Sequence, residues 1–204
     1  MNKIITISRE YGAGGHSIGQ QVAKELGIPF YDRDILKETV KTSGFDPDMV
    51  EHDQEDVSAT NFFLKSICSF SDASFSDTQN AIHDVQKAVI LHFAKEGPCV
   101  ILGRCGDYVL RERKDVLRVF VYAPKEWRLE YAKINPLVKA KDEKGIKDEV
   151  EKTDRNRSAY YNYYTQNRWG DAHNYDLAIN AALGRETCVK MILDAAAAKE
   201  KNLG

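Results

Sequence analysis

The residues with the clearest chemical meaning form a glycine-rich turn near the start of the chain. Gly12, Gly14 and Gly15 lie within four residues of one another, and Ser17 follows them. Glycine accepts left-handed and tightly turned backbone conformations and leaves no Cβ in the way of a ligand. When such a turn runs into a helix, its amides and those of the first helical turn point at one spot, where the helix dipole attracts anions. We therefore predict a phosphate-binding loop rather than a plain connecting turn.

The loop departs from the standard phosphate-loop pattern, G-x-x-x-x-G-K-[ST], in which the lysine reaches the outer phosphates. Arg9 stands where the first glycine would be, and Gly15 stands where the lysine would be. Ser17, one residue after the pattern's Ser/Thr position (His16 here), supplies the hydroxyl that we predict to bind magnesium. Amides can still hold phosphates without the lysine, but the charge near the transferred group must then come from elsewhere. Arg9, His16 and arginines further along the chain are the candidates.

Charged residues also follow two later apolar segments. Asp32 and Arg33 come after one of them, and Arg104 comes after another. Open α/β sheets place ligand contacts at the carboxyl ends of their strands, so we predict that these three residues bind substrate. Asp32 fits a helix N-cap equally well. Arg104 could pair with Asp32 or Asp107 as ordinary structure, yet a guanidinium at this place suits a bidentate contact with phosphate.

A parallel sheet would bring these residues together. Five short apolar segments alternate with helical patterns, and they span residues 4–7, 28–31, 99–102, 117–121 and 176–180. This βαβ rhythm predicts an α/β fold, a five-stranded parallel sheet with helices on both faces. Residues 45–96 form a helical excursion, in which the apolar patch at 62–70 packs in the core or against a partner chain. Pro124 begins a helix that carries Arg128, and a further helix is predicted from Ile146.

Composition limits the function classes. The chain has 204 residues, which suits one domain with an appendage, and 29 basic against 31 acidic residues do not suggest a nucleic-acid binder. Residues 124–168 carry the excess of lysine and arginine, where an anionic ligand would be attracted. The four cysteines are far apart, which argues against structural zinc. We find no signal peptide and no apolar run of membrane-spanning length, so we expect a cytoplasmic protein without membrane contacts.

The chain resembles the P-loop nucleoside monophosphate kinases in three features that occur in the expected order. These are the glycine loop, the Gly103-Arg104 strand end and the stretch Asp154-Arg155-Asn156-Arg157. Cytidylate kinase and the bacterial cytidylate kinase-like proteins are the nearest families, and the similarity runs from residue 2 to about 195. It implies one P-loop kinase-like domain over residues 1–204. A helical insert at about 45–96 would lie on the acceptor side, and a helical lid would span about 124–168.

The resemblance also implies site residues. ATP and Mg²⁺ would be the cofactors, and a nucleoside monophosphate such as CMP would be the acceptor. Arg104 would bind the acceptor phosphate, Arg155 and Arg157 would lie on the lid, and Asp32 would follow the second strand. The residues of the phosphate loop would be Gly12, Ala13, Gly14, Gly15, His16 and Ser17. The catalytic candidates are Arg9, His16, Arg128, Arg155 and Arg157.

Two other functions remain open at this point. The missing lysine is compatible with a nucleotide-binding sensor or pseudokinase that lacks turnover. A dinucleotide-dependent oxidoreductase is the third class, because Gly12 and Gly14 follow a strand and Asp32 comes twenty residues after Gly12. Ser17 occupies the place of that motif's third glycine. The apolar patch at 62–70 and a run of tyrosines after residue 159 leave room for a homo-oligomer.

Overall fold

The computed structural model describes residues 4–32, 75–135 and 138–201, together with Ile35, Glu38 and Lys41. Within this part of the chain the strands are β1 (Ile4–Arg9), β2 (Phe30–Tyr31), β3 (Cys99–Leu102), β4 (Val116–Tyr122) and β5 (Leu177–Asn180). The helices are α1 (Gly15–Leu26), α2 (Phe75–Glu96), α3 (Gly106–Val109), α4 (Lys125–Ile134), α5 (Glu143–Thr165) and α6 (Arg185–Lys201). Two 3₁₀ turns flank β5, at Ala172–Asn174 and Ala181–Leu183.

The strands form one parallel sheet in the order β2-β3-β1-β4-β5. This confirms the predicted five-stranded parallel sheet. The strand beside β1 on one side is β3, whereas the dinucleotide-binding fold has the order 3-2-1-4-5-6 with β2 in that place. The sheet therefore does not support the oxidoreductase alternative.

β1 is the central strand and is apolar on both faces. Ile5 and Ile7 pack on one face with residues of α1 and α6, and Ile4 packs on the other face with residues of α2. A strand covered by helices on both sides has no solvent face, and this explains its run of β-branched residues without polar alternation. Packing on both faces fixes the position of β1 in the sheet. It thereby fixes where the glycine loop begins.

Three consecutive residues after β3 have positive φ angles. Gly103, Arg104 and Cys105 lie at +74°, +56° and +54°. For the two non-glycine residues this conformation is unfavourable, and it must be stabilised by their surroundings. The turn leads directly into the short helix α3, which the apolar pattern did not predict because α3 is only one turn long.

Some boundaries differ from the sequence prediction. α5 begins at Glu143, three residues before the predicted start, with Asp142 as its N-cap. α4 begins at Lys125 with Pro124 in the N-cap position. Of the predicted insert, the structure describes α2, whereas the apolar patch at 62–70 lies outside the described residues. No helix in the described segments is both long and apolar enough to cross a bilayer.

Candidate active site

The glycine loop joins β1 to α1 and has the backbone of an anion site. Gly12 and Gly14 have φ angles of +78° and +73°, and Gly14 is the N-cap of α1 without a capping side chain. The first amides of a helix have no partner within it, so those of Gly15, His16 and Ser17 are available from the loop side. A Cβ on Gly12 would lie 2.8 Å from the carbonyl oxygen of Arg128, which ties the loop to α4.

A cavity of about 520 Å³ opens on the α1 side of the loop. Trp127 and Tyr131 of α4 form one wall, with their rings nearly parallel and their centroids 5.2 Å apart. The hydroxyl of Ser17 lies 3.3 Å from that of Tyr131. The opposite wall is the segment after β5, residues 181 and 183–187. The cavity thus combines the loop's helix N-terminus with a flat aromatic surface.

A second and much smaller cavity, of about 20 Å³, lies on the β3 side of the loop. Three arginines line it: Arg9 at the end of β1, Arg104 after β3, and Arg157 of α5. The remaining lining residues are Ser8, Gly103, Cys105, Tyr160, Tyr161 and Trp169. A volume of this size holds about one water molecule. We call this space the arginine cavity.

Arg155 and Arg157 point in different directions, as residues two apart on a helix must. The Arg157 guanidinium donates to the carbonyl oxygen of Arg9 at 3.0 Å and lies over the Tyr11 ring. The Arg155 side chain is 70% exposed and lies 3.9 Å from Glu151 of its own helix. The structure therefore brings Arg157 to the loop and leaves Arg155 on the outer face of α5.

Arg128 is buried beneath the loop and engaged by carboxylates. It forms an ion pair with Asp154, lies 3.3 Å from Glu10, and donates to the carbonyl oxygen of Tyr11 at 3.0 Å. Asp154 in turn accepts a hydrogen bond of 2.7 Å from the Tyr11 amide. Burial raises the pKa of Glu10, although its hydrogen bond from the Ala123 amide and the charge of Arg128 act in the other direction. These contacts connect Arg128 to the loop and to α5, and its catalytic role stays a prediction.

His16 and Asp32 meet at the mouth of the sheet. The Nε2 atom of His16 lies 3.4 Å from a carboxylate oxygen of Asp32, and its ring packs edge-on against Phe30. Both side chains are partly exposed. Arg33, the third predicted substrate-binding residue, lies outside the described residues.

The outer wall of the arginine cavity is a set of buried polar contacts. The Tyr161 hydroxyl donates to Asp107 at 2.6 Å, and the Trp169 indole donates to Ser8 at 3.2 Å. Burial raises the pKa of Asp107, partly offset by the hydrogen bond from Tyr161. These bonds fix the aromatic residues that close the cavity.

The same wall connects α5 to α2. The Tyr160 hydroxyl donates to Gln86 at 3.1 Å and lies 2.9 Å from Nδ1 of His83. The His83 ring stacks on Tyr164, with centroids 3.7 Å apart. Burial lowers the pKa of His83 to about 4, so the ring is neutral at physiological pH. The described part of the insert therefore packs directly on the helix that covers the arginine cavity.

The loop fits a magnesium-bound polyphosphate by its donor set. Among the described residues there is no cluster of three or more His, Cys, Asp or Glu side chains that could hold a metal. Mg²⁺ is commonly held by substrate phosphates, waters and one or two protein oxygens, rather than by a cage of carboxylates. The Ser17 hydroxyl, in the first turn of α1 beside the loop amides, is suited to be such an oxygen.

Solved structures share this fold over nearly the whole chain. An uncharacterized protein from Eubacterium ventriosum ATCC 27560 is 24% identical with a TM-score of 0.71, and the match covers 96% of this chain and 98% of that one. Shikimate kinase from Bacteroides thetaiotaomicron is 14% identical with a TM-score of 0.56, over 95% and 98% of the two chains. A gluconokinase from Sinorhizobium meliloti 1021 is 15% identical with a TM-score of 0.54, over 99% and 95%. The fold is that of the P-loop kinases of small molecules.

The sequence itself gives the family. The model of the cytidylate kinase-like family matches residues 4–182, so the chain belongs to this family. No curated protein matches the sequence. The family and fold bear out the resemblance that was based on the glycine loop, the Gly103-Arg104 strand end and the arginines of α5.

Several residues of the two cavities were not among the sequence candidates. Trp127 and Tyr131 carried a usable signal, since two aromatic residues four apart lie on one face of a helix. Tyr160 and Tyr161 belonged to a noted tyrosine run but had no assigned role. Trp169 follows α5 in a turn and had no local signal, because its place beside β1 depends on the tertiary fold.

Proposed function

We propose that this protein transfers the γ-phosphoryl group of ATP to a small phosphorylated acceptor, a nucleoside monophosphate such as CMP. The observation that carries the proposal is the pair of unlike cavities flanking one phosphate loop. One is wide and has an aromatic wall, and the other is lined by three arginines. Such a pair suits a donor nucleotide on one side and an anionic acceptor on the other.

The donor would lie in the wide cavity. Its phosphates would be held by the amides of the loop, Gly12 to Ser17, and its base would stack on the exposed side of the Trp127 and Tyr131 pair. A base is a flat apolar group, and stacking on an aromatic ring is a common way to bind one. When bound with the phosphates, Mg²⁺ would neutralise part of their charge, and Ser17 would hold it.

The acceptor would lie in the arginine cavity. Arg104 lines this cavity and is 9% exposed, so its guanidinium charge lies in a largely desolvated place where an anion is attracted strongly. Arg104 and Arg157 can each contact two oxygens of a phosphate group through the planar guanidinium. An acceptor that carries its own phosphate uses this charge, whereas a simple alcohol would not.

The reaction needs little covalent chemistry from the protein. An oxygen of the acceptor phosphate attacks the γ-phosphorus and forms a new P–O bond, while the bond to the β,γ-bridging oxygen breaks and its electron pair leaves with ADP. A dianionic phosphate acceptor has no proton to lose, so no general base is required. In-line positioning and cations near the equatorial oxygens supply the catalysis, and the arginines of the second cavity are suited to this role.

An ADP-release assay over a panel of nucleoside monophosphates and small alcohols, with and without Mg²⁺, tests the proposal. We expect magnesium-dependent ADP release with at least one monophosphate and none with the alcohols. Release with an alcohol alone would overturn the assignment of the acceptor. The second candidate is a nucleotide sensor, favoured by Gly15 in place of the lysine, and it would show ATP binding by calorimetry without release in any reaction.

A further inference from the structure

We propose that Arg9 replaces the missing lysine of the phosphate loop and that position 15 is glycine to make room for it. This inference rests on the proposed kinase function. It treats two of the departures from the standard pattern, Arg9 for the first glycine and Gly15 for the lysine, as one compensating exchange of a side chain between two neighbouring positions.

The first observation is steric. A Cβ built on Gly15 would lie 2.6 Å from Cβ and 2.8 Å from Cγ of Arg9, closer than real side chains approach, and 3.7 Å from its Cδ. The Arg9 stem thus occupies the space in which a side chain at position 15 would begin. A lysine at position 15 and the present Arg9 side chain exclude each other.

The second observation is that the backbone at position 15 does not need glycine. Gly12 and Gly14 have positive φ angles, but Gly15 is the first residue of α1 and does not. The φ and ψ angles of a right-handed helix are open to any L-residue. Among the loop's three glycines, Gly15 is therefore required for space alone, and the space is taken by Arg9.

The third observation is the cavity that the Arg9 side chain lines. From its place over Gly15 it lines the arginine cavity with Arg104 and Arg157. Its own backbone carbonyl accepts the hydrogen bond from Arg157, so that this end of β1 is held against α5. A guanidinium carried from the donor loop to the acceptor cavity lies on the route that a phosphoryl group takes between them.

An arginine can do the work of the loop lysine, with different geometry. The lysine is a single point charge that reaches the outer phosphates, whereas a guanidinium presents several N–H donors in one plane and binds two oxygens at once. We assign Arg9 the contact with the oxygens of the γ-phosphoryl group, in the bound triphosphate and more strongly in the transition state.

The test uses Arg9→Met, which keeps an aliphatic stem over Gly15 and removes the charge. We expect kcat to fall roughly 100- to 1,000-fold, the range for loss of one preorganised donor. The Kd of a non-hydrolysable ATP analogue should rise roughly tenfold or more, while the Kd of ADP, which lacks the γ-phosphate, should stay unchanged. Arg111→Met, at an exposed arginine that stacks on Tyr108, is the matched control and should behave as the unmodified protein.

A double variant tests the exchange itself. Arg9→Gly with Gly15→Lys restores the first glycine and the lysine of the standard loop and should recover most of the activity lost in Arg9→Met. Gly15→Lys alone should be impaired because its Cβ meets Arg9. Thermal unfolding identifies variants that do not fold. If the double variant does not fold, Arg9→Lys, which keeps both the aliphatic stem and the charge, is compared with Arg9→Met in its place. An Arg9→Met protein with unchanged kcat, or a folded double variant no faster than it, would overturn the inference.

The Kd values of the ATP analogue and of ADP, measured by calorimetry, separate this inference from the proposed function. If the unmodified protein releases no ADP with any acceptor, the proposed function fails, but the triphosphate-to-diphosphate preference still reports on Arg9. Loss of that preference in Arg9→Met would support the assignment. The same preference in both proteins would overturn it, whatever the assay gives.

Discussion

At the scale of single residues, Trp127 determines how the donor base can bind. Its ring lies half-buried against Tyr131 and forms one wall of the wide cavity. Stacking of one base on an aromatic side chain is worth about 1–3 kcal/mol. We therefore expect Trp127→Ala to raise the Kd of ATP about 5- to 150-fold, and Trp127→Phe to keep most of the affinity. Isothermal calorimetry measures both.

The control for this prediction is an aromatic residue away from both cavities. Tyr163 is exposed on α5 and lines neither cavity, so Tyr163→Ala should leave ATP affinity unchanged. An unchanged Kd in Trp127→Ala would show that the base binds elsewhere. The phosphates would then have to be held without the aromatic wall.

At the scale of elements, the docking of α5 on the loop depends on Asp154. This carboxylate accepts from the Tyr11 amide and pairs with Arg128, which itself bonds the Tyr11 carbonyl. In Asp154→Asn the amide oxygen can still accept from Tyr11, but among the described residues the buried Arg128 keeps Glu10 alone as a charged partner. We expect the free energy of unfolding to fall by about 2 kcal/mol, the scale of a hydrogen bond to a charged group.

Urea unfolding measures this loss, and Asp148→Asn provides the comparison. Asp148 lies exposed on the same helix, so the same chemical change there should alter stability by less than about 0.5 kcal/mol. Equal effects of the two substitutions would mean that the contacts of Asp154 do not hold α5. Faster amide exchange in the loop of Asp154→Asn would accompany the expected result.

Most of the strands and helices could be predicted from the sequence. β3 was predicted to the residue and β4 to within one, because buried parallel strands are continuous apolar runs between turn residues. The start of α5 was wrong by three residues, because its first turn is exposed and polar and carries no apolar pattern. α3 was missed because one helical turn has no period to detect. The loops and strand ends pointed to the site, since parallel strands bring their carboxyl ends to one edge.

At the scale of the whole molecule, the arginine cavity is too small for its proposed ligand. It holds about one water molecule, so α5 must move away from β1 and β3 before a phosphate can enter. Cys105 lines this cavity and is 4% exposed, so its thiol becomes reachable only on opening. Maleimide labelling followed by mass spectrometry therefore reports on the movement of α5.

We expect CMP with ADP to slow the labelling of Cys105. A ligand that occupies the open site at one hundred times its Kd leaves about 1% of the sites vacant, so it should slow the labelling about 100-fold. Cys188, a residue of α6 whose side chain is buried in the core, is the internal reference and should not respond. Labelling of Cys105 that is independent of the nucleotides would show that the arginine cavity does not bind them.

The complete set of residues that line each cavity could not be predicted from the sequence. Arg9 was a candidate because the loop lacks its lysine, and Arg104 because it follows a strand. Trp169, in contrast, comes to β1 through a turn, and residues 183–187 complete the donor cavity from beyond the last strand. Such neighbours are set by how α5 and α6 fold back on the sheet. A single sequence predicts where helices form, but it does not predict which residues they contact in the folded protein.

The close approach of Arg9 to position 15 also constrains how such a loop can have arisen. A chain with both a lysine at position 15 and an arginine at position 9 would place two side-chain stems in one space, so it is not a viable ancestor. If the two positions change one at a time, the intermediate that avoids this overlap has glycine at both. An intermediate of this kind carries neither cation, so it would bind phosphate through main-chain amides alone.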